Sequence, residues 1–248
     1  MIEAYPLPGL PEVRPGDDLA GLLARAADGE LRDGDVLIVA HKVVSKAEGA
    51  VIALEEVEPG HQARRLAADH DKDPRAVQVV LDEAVDVVRA QRGVLIARTR
   101  HGFVCANAGV DASNAAGADE LILLPRDPDA SARALRARLR ALTGTAPAVV
   151  ISDSFGRAWR HGQCDMAVGI AGLVVLDDWR GRHDSVGREL RATAIAIADE
   201  ATATADLARD KASREPAVVV RGLERHVTAD DGPGAAALVR PLDEDLFR

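Results

Sequence analysis

Residues 148–160 read AVVISDSFGRAWR, an apolar run that changes abruptly into a polar, arginine-containing segment. The run from Ala148 to Ser152 predicts a buried strand that ends at Asp153. A second such run, Val36 to Ala40, follows the turn residues Asp33-Gly34-Asp35. A rigid backbone at the exit of a buried strand can hold a carboxylate toward an open crevice, so Asp153 is a candidate functional residue.

Periodicity predicts further elements on both sides of this strand. Asp73-Pro74 is typical of a helix start, and apolar residues at helical spacing follow it. These are Val77, Val80, Leu81, Ala84, Val85 and Val88. Residues 94–97 and 103–106 predict the two strands of a hairpin. A long Ala-rich helix is predicted over about 192–211, followed by a strand over 218–220.

Another helix is predicted over about 130–142, between Pro128 and Gly144. Its predicted inner face carries Leu135, Leu139 and Leu142, and its predicted solvated face carries Arg133, Arg136, Arg138 and Arg140. Helical and hairpin connections alternate along the chain, which predicts a mixed α/β (α+β) fold with mixed sheets, not a doubly wound Rossmann sheet. We find no linker or internal repeat, so residues 1–248 are predicted to form a single unit.

Composition excludes several classes of protein. Of the 248 residues, 47% are hydrophobic and 2% are aromatic, and the net charge is -9. This balance excludes a disordered chain and disfavours nucleic acid as a partner. Cys105 and Cys164 show neither a disulfide nor a zinc pattern. There is no membrane-length apolar segment and no basic, apolar leader, so we expect a soluble, cytoplasmic protein.

Two acidic residues are candidate metal ligands, Asp111 and Asp153. Carboxylates from separate strand ends, accompanied by the hydroxyls of Ser113, Ser152 and Ser154, would suit Mg²⁺ or Mn²⁺ bridging nucleotide phosphates. The alternative interpretation is that both aspartates are turn or cap residues.

The segment 156–163 places Arg157, Trp159 and Arg160 directly after the candidate metal ligand. Arginine is the preferred planar donor to phosphate and carboxylate, which favours a polyanionic substrate, although a surface loop would look the same. Lys42 and Lys46 follow the predicted strand from Val36 to Ala40. One of them could reach a phosphate, or both could be solvated. The chain contains no GxxxxGK[ST] motif, so any nucleotide is held by something other than a P-loop. The histidines His61, His70, His183 and His226 show no ligand spacing and are interpreted as surface residues.

Several strings, in order along nearly the whole chain, together resemble the coenzyme F420-0:L-glutamate ligase family. They are GLPE at 9–12, VVSKAEG at 43–49, GVDASN at 109–114, SDSFGRAWR at 152–160, ADE at 198–200 and EDLFR at 244–248. The resemblance implies GTP-dependent addition of L-glutamate to F420-0, repeated to give γ-linked glutamates, on a two-lobed fold that forms a homodimer. It implies an acyl phosphate formed when the acceptor carboxylate attacks the γ-phosphate. An additional flavin-binding domain, present in some relatives, is not expected.

The resemblance also implies roles for individual residues. One divalent ion, Mg²⁺ or Mn²⁺, would bind Asp111 and Asp153, and a second would bind with help from Ser154. Arg157 and Arg160 would stabilise the charged transition state. Contacts to GTP would come from Leu10, Pro11, Glu12, Val13, His41, Lys46, Asn114 and Lys211.

Of the positions that depart from the family pattern, two belong to the predicted site. His41 stands where a small hydroxyl or an amide is common, and Lys211 stands in a metal-binding segment, where a protonated lysine cannot be a ligand. Two rival interpretations stay open at this point. One is the same chemistry on another carboxylate acceptor. The other is a non-catalytic nucleotide-binding relative.

Overall fold

The strands come from segments spread over the whole chain. The computed structural model describes residues 1–113, 117, 119–210 and 212–245. Its strands are β1 (Glu3–Pro6), β2 (Val36–Ala40), β3 (Val51–Ala53), β4 (Ala84–Gln91), β5 (Val94–Thr99), β6 (Val104–Ala106), β7 (Glu120–Ile122), β8 (Ala148–Arg157), β9 (Arg160–Ala171), β10 (Asp177–Asp178), β11 (Ala194–Ile195) and β12 (Ala217–Arg221). Its helices are α1 (Leu19–Ala26), α2 (His41–Ala47), α3 (His61–His70), α4 (Pro74–Glu83), α5 (Pro128–Thr143) and α6 (Ile197–Ala208).

The central sheet has five strands in the order β1-β12-β2-β8-β9. Strands β2 and β8 are parallel, and the other neighbours are antiparallel. A three-stranded sheet β4-β5-β6 and two small two-stranded sheets accompany it. The predicted mixed α/β fold, without a regular doubly wound sheet, is therefore confirmed.

Both faces of the central sheet are buried, which explains its unbroken apolar runs. One face contributes Leu37, Val39, Val149 and Ile151 to a core shared with residues of α1 and α5. The opposite face contributes Val36, Ile38, Ala148 and Val150 to a core shared with α6. A third core lies within the segment 52–123 and joins α3 and α4 to β5. Division of the chain into two interwoven lobes stays a prediction.

Three predicted helices have different bounds or faces from those expected. Asp73 caps α4 as predicted, but the helix ends at Glu83. Val85 and Val88 lie exposed on β4, because the β-branched run from Ala84 pairs with β5. Helix α6 begins at Ile197, not near 192, since Ala194 and Ile195 pair with β10.

Helix α5 runs where it was predicted, but two of its residues were assigned to the wrong face. Leu142 is exposed, whereas Arg136 is buried. The Arg136 guanidinium donates to Thr228 O at 2.5 Å and to Asp231 Oδ1 at 2.8 Å, so burial leaves its charge compensated. His226, predicted at the surface, is also buried. Burial and the neighbouring Arg225 lower the pKa of His226, whose Nε2 accepts a hydrogen bond from Arg225 Nε.

Both cysteines are free, as predicted. Across the described ranges, no helix combines the length and the apolar character that a membrane crossing would require.

Candidate active site

Helix α2 begins directly at the end of β2, and its side chains reach three distant segments of the chain. It is only seven residues long, and His41, Ser45 and Lys46 within it are buried. Residues three and four apart share a helix face, so α2 presents His41 with Ser45 on one side and Lys42 with Lys46 on another. One predicted site residue from each of three segments meets this helix, namely Asp153 of β8, Asp111 and Glu12.

Asp153 meets α2 through His41. Its Oδ1 atom lies 3.3 Å from His41 Nε2 and also accepts a hydrogen bond of 2.8 Å from Ser154 N. His41 Nε2 lies at ion-pair distance without the angle of a hydrogen bond, so this buried ring nitrogen has no hydrogen-bond partner among the described residues. On the other side of the ring, Nδ1 lies 3.4 Å from Ser45 Oγ.

Asp153 was predicted at the end of its strand, but β8 continues to Arg157. Pairing between β2 and β8 does stop at the pair Ala40 and Ser152. Asp153 is therefore the first residue of β8 beyond the parallel part of the sheet. At this position its carboxylate faces His41 of α2.

Asp111 meets α2 through Lys42. The Lys42 Nζ atom lies 2.7 Å from Asp111 Oδ2 and 2.5 Å from Ser113 Oγ, and Asp111 Oδ1 accepts a hydrogen bond of 2.6 Å from Ser113 N. Burial raises the pKa of Asp111, but the hydrogen bonds from Lys42 and Ser113 outweigh it and hold that pKa below its ordinary value. Asp111 forms an isolated bridge with Ile122, so it does not lie at the end of a strand as predicted.

The segment 9–13 meets α2 through Lys46. Gly9 has a φ of +79°, which permits the tight turn before Leu10 and Pro11. Val13 packs in the core, and Glu12 forms an ion pair with the buried Lys46. Glu12, one of the predicted nucleotide contacts, thus lies against a lysine ammonium group of α2.

Arg157 and Arg160 lie at the far end of the β8-β9 hairpin, where they pair across the strands. Arg157 lies four positions after Asp153, which is about 13 Å along an extended strand. Arg157 Nη2 donates to His161 O at 3.0 Å, while its buried Nε has no hydrogen-bond partner among the described residues. Arg160 is exposed. The structure therefore does not gather the two arginines with Asp153.

Ser154 points away from α2. Successive residues of a strand face opposite sides, so Asp153 and Ser154 cannot share one face. The Ser154 hydroxyl donates to Asp165 Oδ1 at 2.6 Å, and Arg209 contacts the same carboxylate. Asp165 and Arg209 were missed by the sequence analysis. An aspartate directly before the apolar run of β9 was the signal that could have found the first of them.

Two predicted GTP contacts, Asn114 and Lys211, lie outside the described residues.

The chemistry of the donor atoms suits a divalent ion better at one of the two predicted positions. Within the described ranges, no three His, Cys, Asp or Glu side chains are arranged to hold a metal. Asp111 and Asp153 nevertheless offer the hard carboxylate oxygens that Mg²⁺ and Mn²⁺ prefer, and His41 Nε2 lies 3.3 Å from Asp153 Oδ1. The Ser154 side does not fit, because a guanidinium group already compensates the Asp165 carboxylate there.

Comparison with known proteins agrees with the motifs. The family model described as F420-0:Gamma-glutamyl ligase matches residues 9–222. A coenzyme F420:L-glutamate ligase of Methanopyrus kandleri is 48% identical, over 98% of this chain and 96% of the relative. Relatives of the same name from Methanothermobacter thermautotrophicus and Haloarcula marismortui are 44% and 42% identical, over 97% and 100% of this chain and 96% of each relative. The resemblance is thereby confirmed, and the chain belongs to the F420-0:gamma-glutamyl ligase family.

Proposed function

We propose that this protein is a ligase that joins L-glutamate to F420-0 and then to its own product, using GTP and a divalent metal ion. The names of the family, F420-0:Gamma-glutamyl ligase, and of the relatives, coenzyme F420:L-glutamate ligase, support the substrate assignment. The observation that carries the nucleotide-dependent chemistry is the convergence of Glu12, Asp111 and Asp153 on the single helix α2. We expect the enzyme to work in the cytoplasm as a homodimer.

The proposed reaction activates a carboxylate. A carboxylate oxygen of F420-0 attacks the γ-phosphorus of GTP, and the bond from that phosphorus to the bridging oxygen breaks, releasing GDP. The amine of glutamate then attacks the carbonyl carbon of the acyl phosphate, inorganic phosphate leaves, and the nitrogen loses a proton. The new amide carries a free γ-carboxylate, which can serve as the next acceptor.

Positive charge is needed because the first step brings two anions together. Lys46 is buried beside the predicted nucleotide segment, so its ammonium group is available to a phosphate if Glu12 turns outward. Lys42 pairs with Asp111 and would compensate that carboxylate until an ion binds. Arg157 and Arg160, at the exposed hairpin end, would meet the more distant anionic groups of the substrates.

Asp111 and Asp153 would hold the divalent ion. Once bound, such an ion supplies electrostatic stabilisation of phosphate oxygens. The protein's own part is to fix the two carboxylates from separate segments, with His41 packed behind Asp153. Because the Lys42 ammonium group contacts Asp111, metal binding would require this lysine to move off the carboxylate.

The decisive experiment supplies purified protein with F420-0, L-glutamate, GTP and either Mg²⁺ or Mn²⁺. We expect GDP to be released and F420 products to form that are heavier by successive glutamyl units. Mass spectrometry measures the masses of these products. GTP binding without any glutamyl product on F420-0 would contradict the proposal. Product formation on a different carboxylate acceptor would keep the chemistry and replace the substrate.

A further inference from the structure

A small polar cluster lies on the face of the β8-β9 hairpin opposite to Asp153. Ser154 of β8 and Asp165 of β9 are direct cross-strand partners, so their side chains share a face. The Ser154 hydroxyl donates to Asp165 Oδ1 at 2.6 Å, and the Ser152 hydroxyl donates to Asp165 Oδ2 at 3.0 Å. Asp165 is only 1% exposed. One buried carboxylate and two hydroxyl oxygens are the kind of donors that a hard cation prefers.

The positive charge in this cluster comes from the side chain of an arginine. Arg209, directly after α6, contacts Asp165 Oδ2 with its Nη2 atom, which also lies 3.4 Å from Ser152 Oγ. Its Nη1 atom donates to Pro216 O at 3.2 Å. The Arg209 side chain is 11% exposed. The guanidinium group is therefore enclosed and held by three neighbours.

We propose that Arg209 is a built-in cation which occupies, against Ser152 and Asp165, the place of a second divalent ion, so that each chain binds one ion. The family resemblance predicts a second ion near Ser154, and the Ser154 hydroxyl is turned toward the carboxylate that Arg209 neutralises. A divalent ion here would lie beside a fixed positive charge. The sequence adds Lys211 to the same segment, a second residue that cannot be a ligand while protonated.

The proposal rests on the proposed function only for the first ion, at Asp111 and Asp153. The two positions are independent because Asp153 and Ser154 face opposite sides of the strand. Removal of one position should therefore leave the other intact.

The test counts Mn²⁺ ions per chain, by calorimetric titration and by electron paramagnetic resonance of the free ion, without nucleotide or turnover. We expect one ion for the wild type and none for Asp153→Asn. Arg209→Ala removes the guanidinium group from the cluster of Ser152, Ser154 and Asp165, so we expect this variant to bind two ions, and Asp165→Asn combined with Arg209→Ala to bind one.

Thermal unfolding gives a second readout that needs no activity. Without metal, loss of a buried ion-pair partner should lower the Tm of Arg209→Ala by on the order of 10 °C. Mn²⁺ should restore most of that loss. If Arg209→Ala stays unfolded even with Mn²⁺, the result counts against the proposal.

Arg221 provides a matched control. It also pairs with a buried carboxylate, Asp35, through two contacts of 2.8 Å, and Asp35 is likewise 1% exposed. The contacts to Asp35 come from arginine and from a backbone N–H, not from serine hydroxyls. Arg221→Ala should lose stability without gaining an ion and without rescue by Mn²⁺.

Two ions bound to the wild type, or an unchanged count in Arg209→Ala, would overturn the proposal. Failure of the proposed function would look different. A wild type that binds no Mn²⁺ would refute the ion position at Asp111 and Asp153. The number of ions gained by Arg209→Ala would still test the position at Asp165.

Discussion

Asp153 sits between a histidine of α2 and the backbone of its own strand, and replacement by asparagine would remove its charge while keeping nearly its volume. We expect Asp153→Asn to lower kcat for glutamyl transfer by on the order of a hundredfold or more, with little change in Tm. Asp111→Asn should behave alike. Steady-state kinetics and thermal unfolding check both variants. Asp178→Asn, which changes an exposed carboxylate on β10, is the control. A large loss of Tm with normal activity would identify Asp153 as a structural residue.

The charge of Asp153 also acts on Cys105, a buried residue of β6. Burial raises the pKa of its thiol to about 12, and the negative charge of Asp153 adds to the effect. The thiolate is the reactive form, so a disulfide reagent at about pH 8 should label the half-buried Cys164 quickly and Cys105 only after unfolding. Counting thiols over time in native and denatured protein checks this. In Cys164→Ser, fast labelling should disappear, and two equally fast thiols in the folded wild type would contradict the expectation.

At the scale of elements, the sequence predicted those strands and helices that depend on the local pattern of apolar residues. Strand β2 and the hairpin of β5 and β6 follow directly from runs of apolar and β-branched residues. Helix α4 was predicted too long because Val85 and Val88 fit a helical period as well as a strand, and only pairing with β5 distinguishes the two. Tertiary contacts also explain Arg136, whose partners follow it by up to 95 residues.

In the candidate site too, single residues could be predicted from the sequence, whereas the contacts between them could not. Asp111, Asp153 and Lys46 stand out in the sequence because they follow apolar runs or belong to distinctive strings. Their meeting on α2 could not be predicted, since it depends on contacts such as that between Lys42 and Ser113, which are 71 residues apart in the chain. Arg209 was missed for the same reason, because its partner Asp165 lies on a strand far from it.

The β8-β9 hairpin carries the prediction that belongs to this scale. A guanidinium can donate two parallel hydrogen bonds to a phosphate or carboxylate, whereas lysine keeps the charge and loses the fork. We expect Arg160→Lys to lower kcat/KM by about tenfold or more, which is about 1.4 kcal/mol. Arg140→Lys, on the exposed side of α5, is the matched control. Equal, near-wild-type kinetics for both variants would reduce the hairpin end to an ordinary surface turn.

For the whole molecule, the cores described above leave one sheet face unaccounted for. The central sheet is covered on both faces, by α1 and α5 on one side and by α6 on the other. The three-stranded sheet buries Leu95 and Ala97 against α3 and α4, but Val94 and Val104 on its other face are exposed. Its edge strand β4 also exposes Val85 and Val88.

This surface is where we expect a second copy of the chain to bind. The four valines are between 44% and 65% exposed, and Val85 and Val88 lie at the two register shifts of the edge strand β4, where they have no partner residue on β5. Two copies related by a two-fold axis could pack these valines against each other, which buries the same side chains twice in a closed dimer. Light scattering after size exclusion should therefore give the mass of a dimer for the wild type and of a monomer for Val85→Lys combined with Val88→Lys, because four buried ammonium groups would oppose the contact.

The double variant should keep its Tm nearly unchanged, since both side chains are already exposed within one chain. Val186→Lys, the same substitution at an exposed valine between β10 and β11, should stay dimeric. A dimer that survives the double substitution would move the contact to another face of the molecule, and a wild-type monomer would remove it.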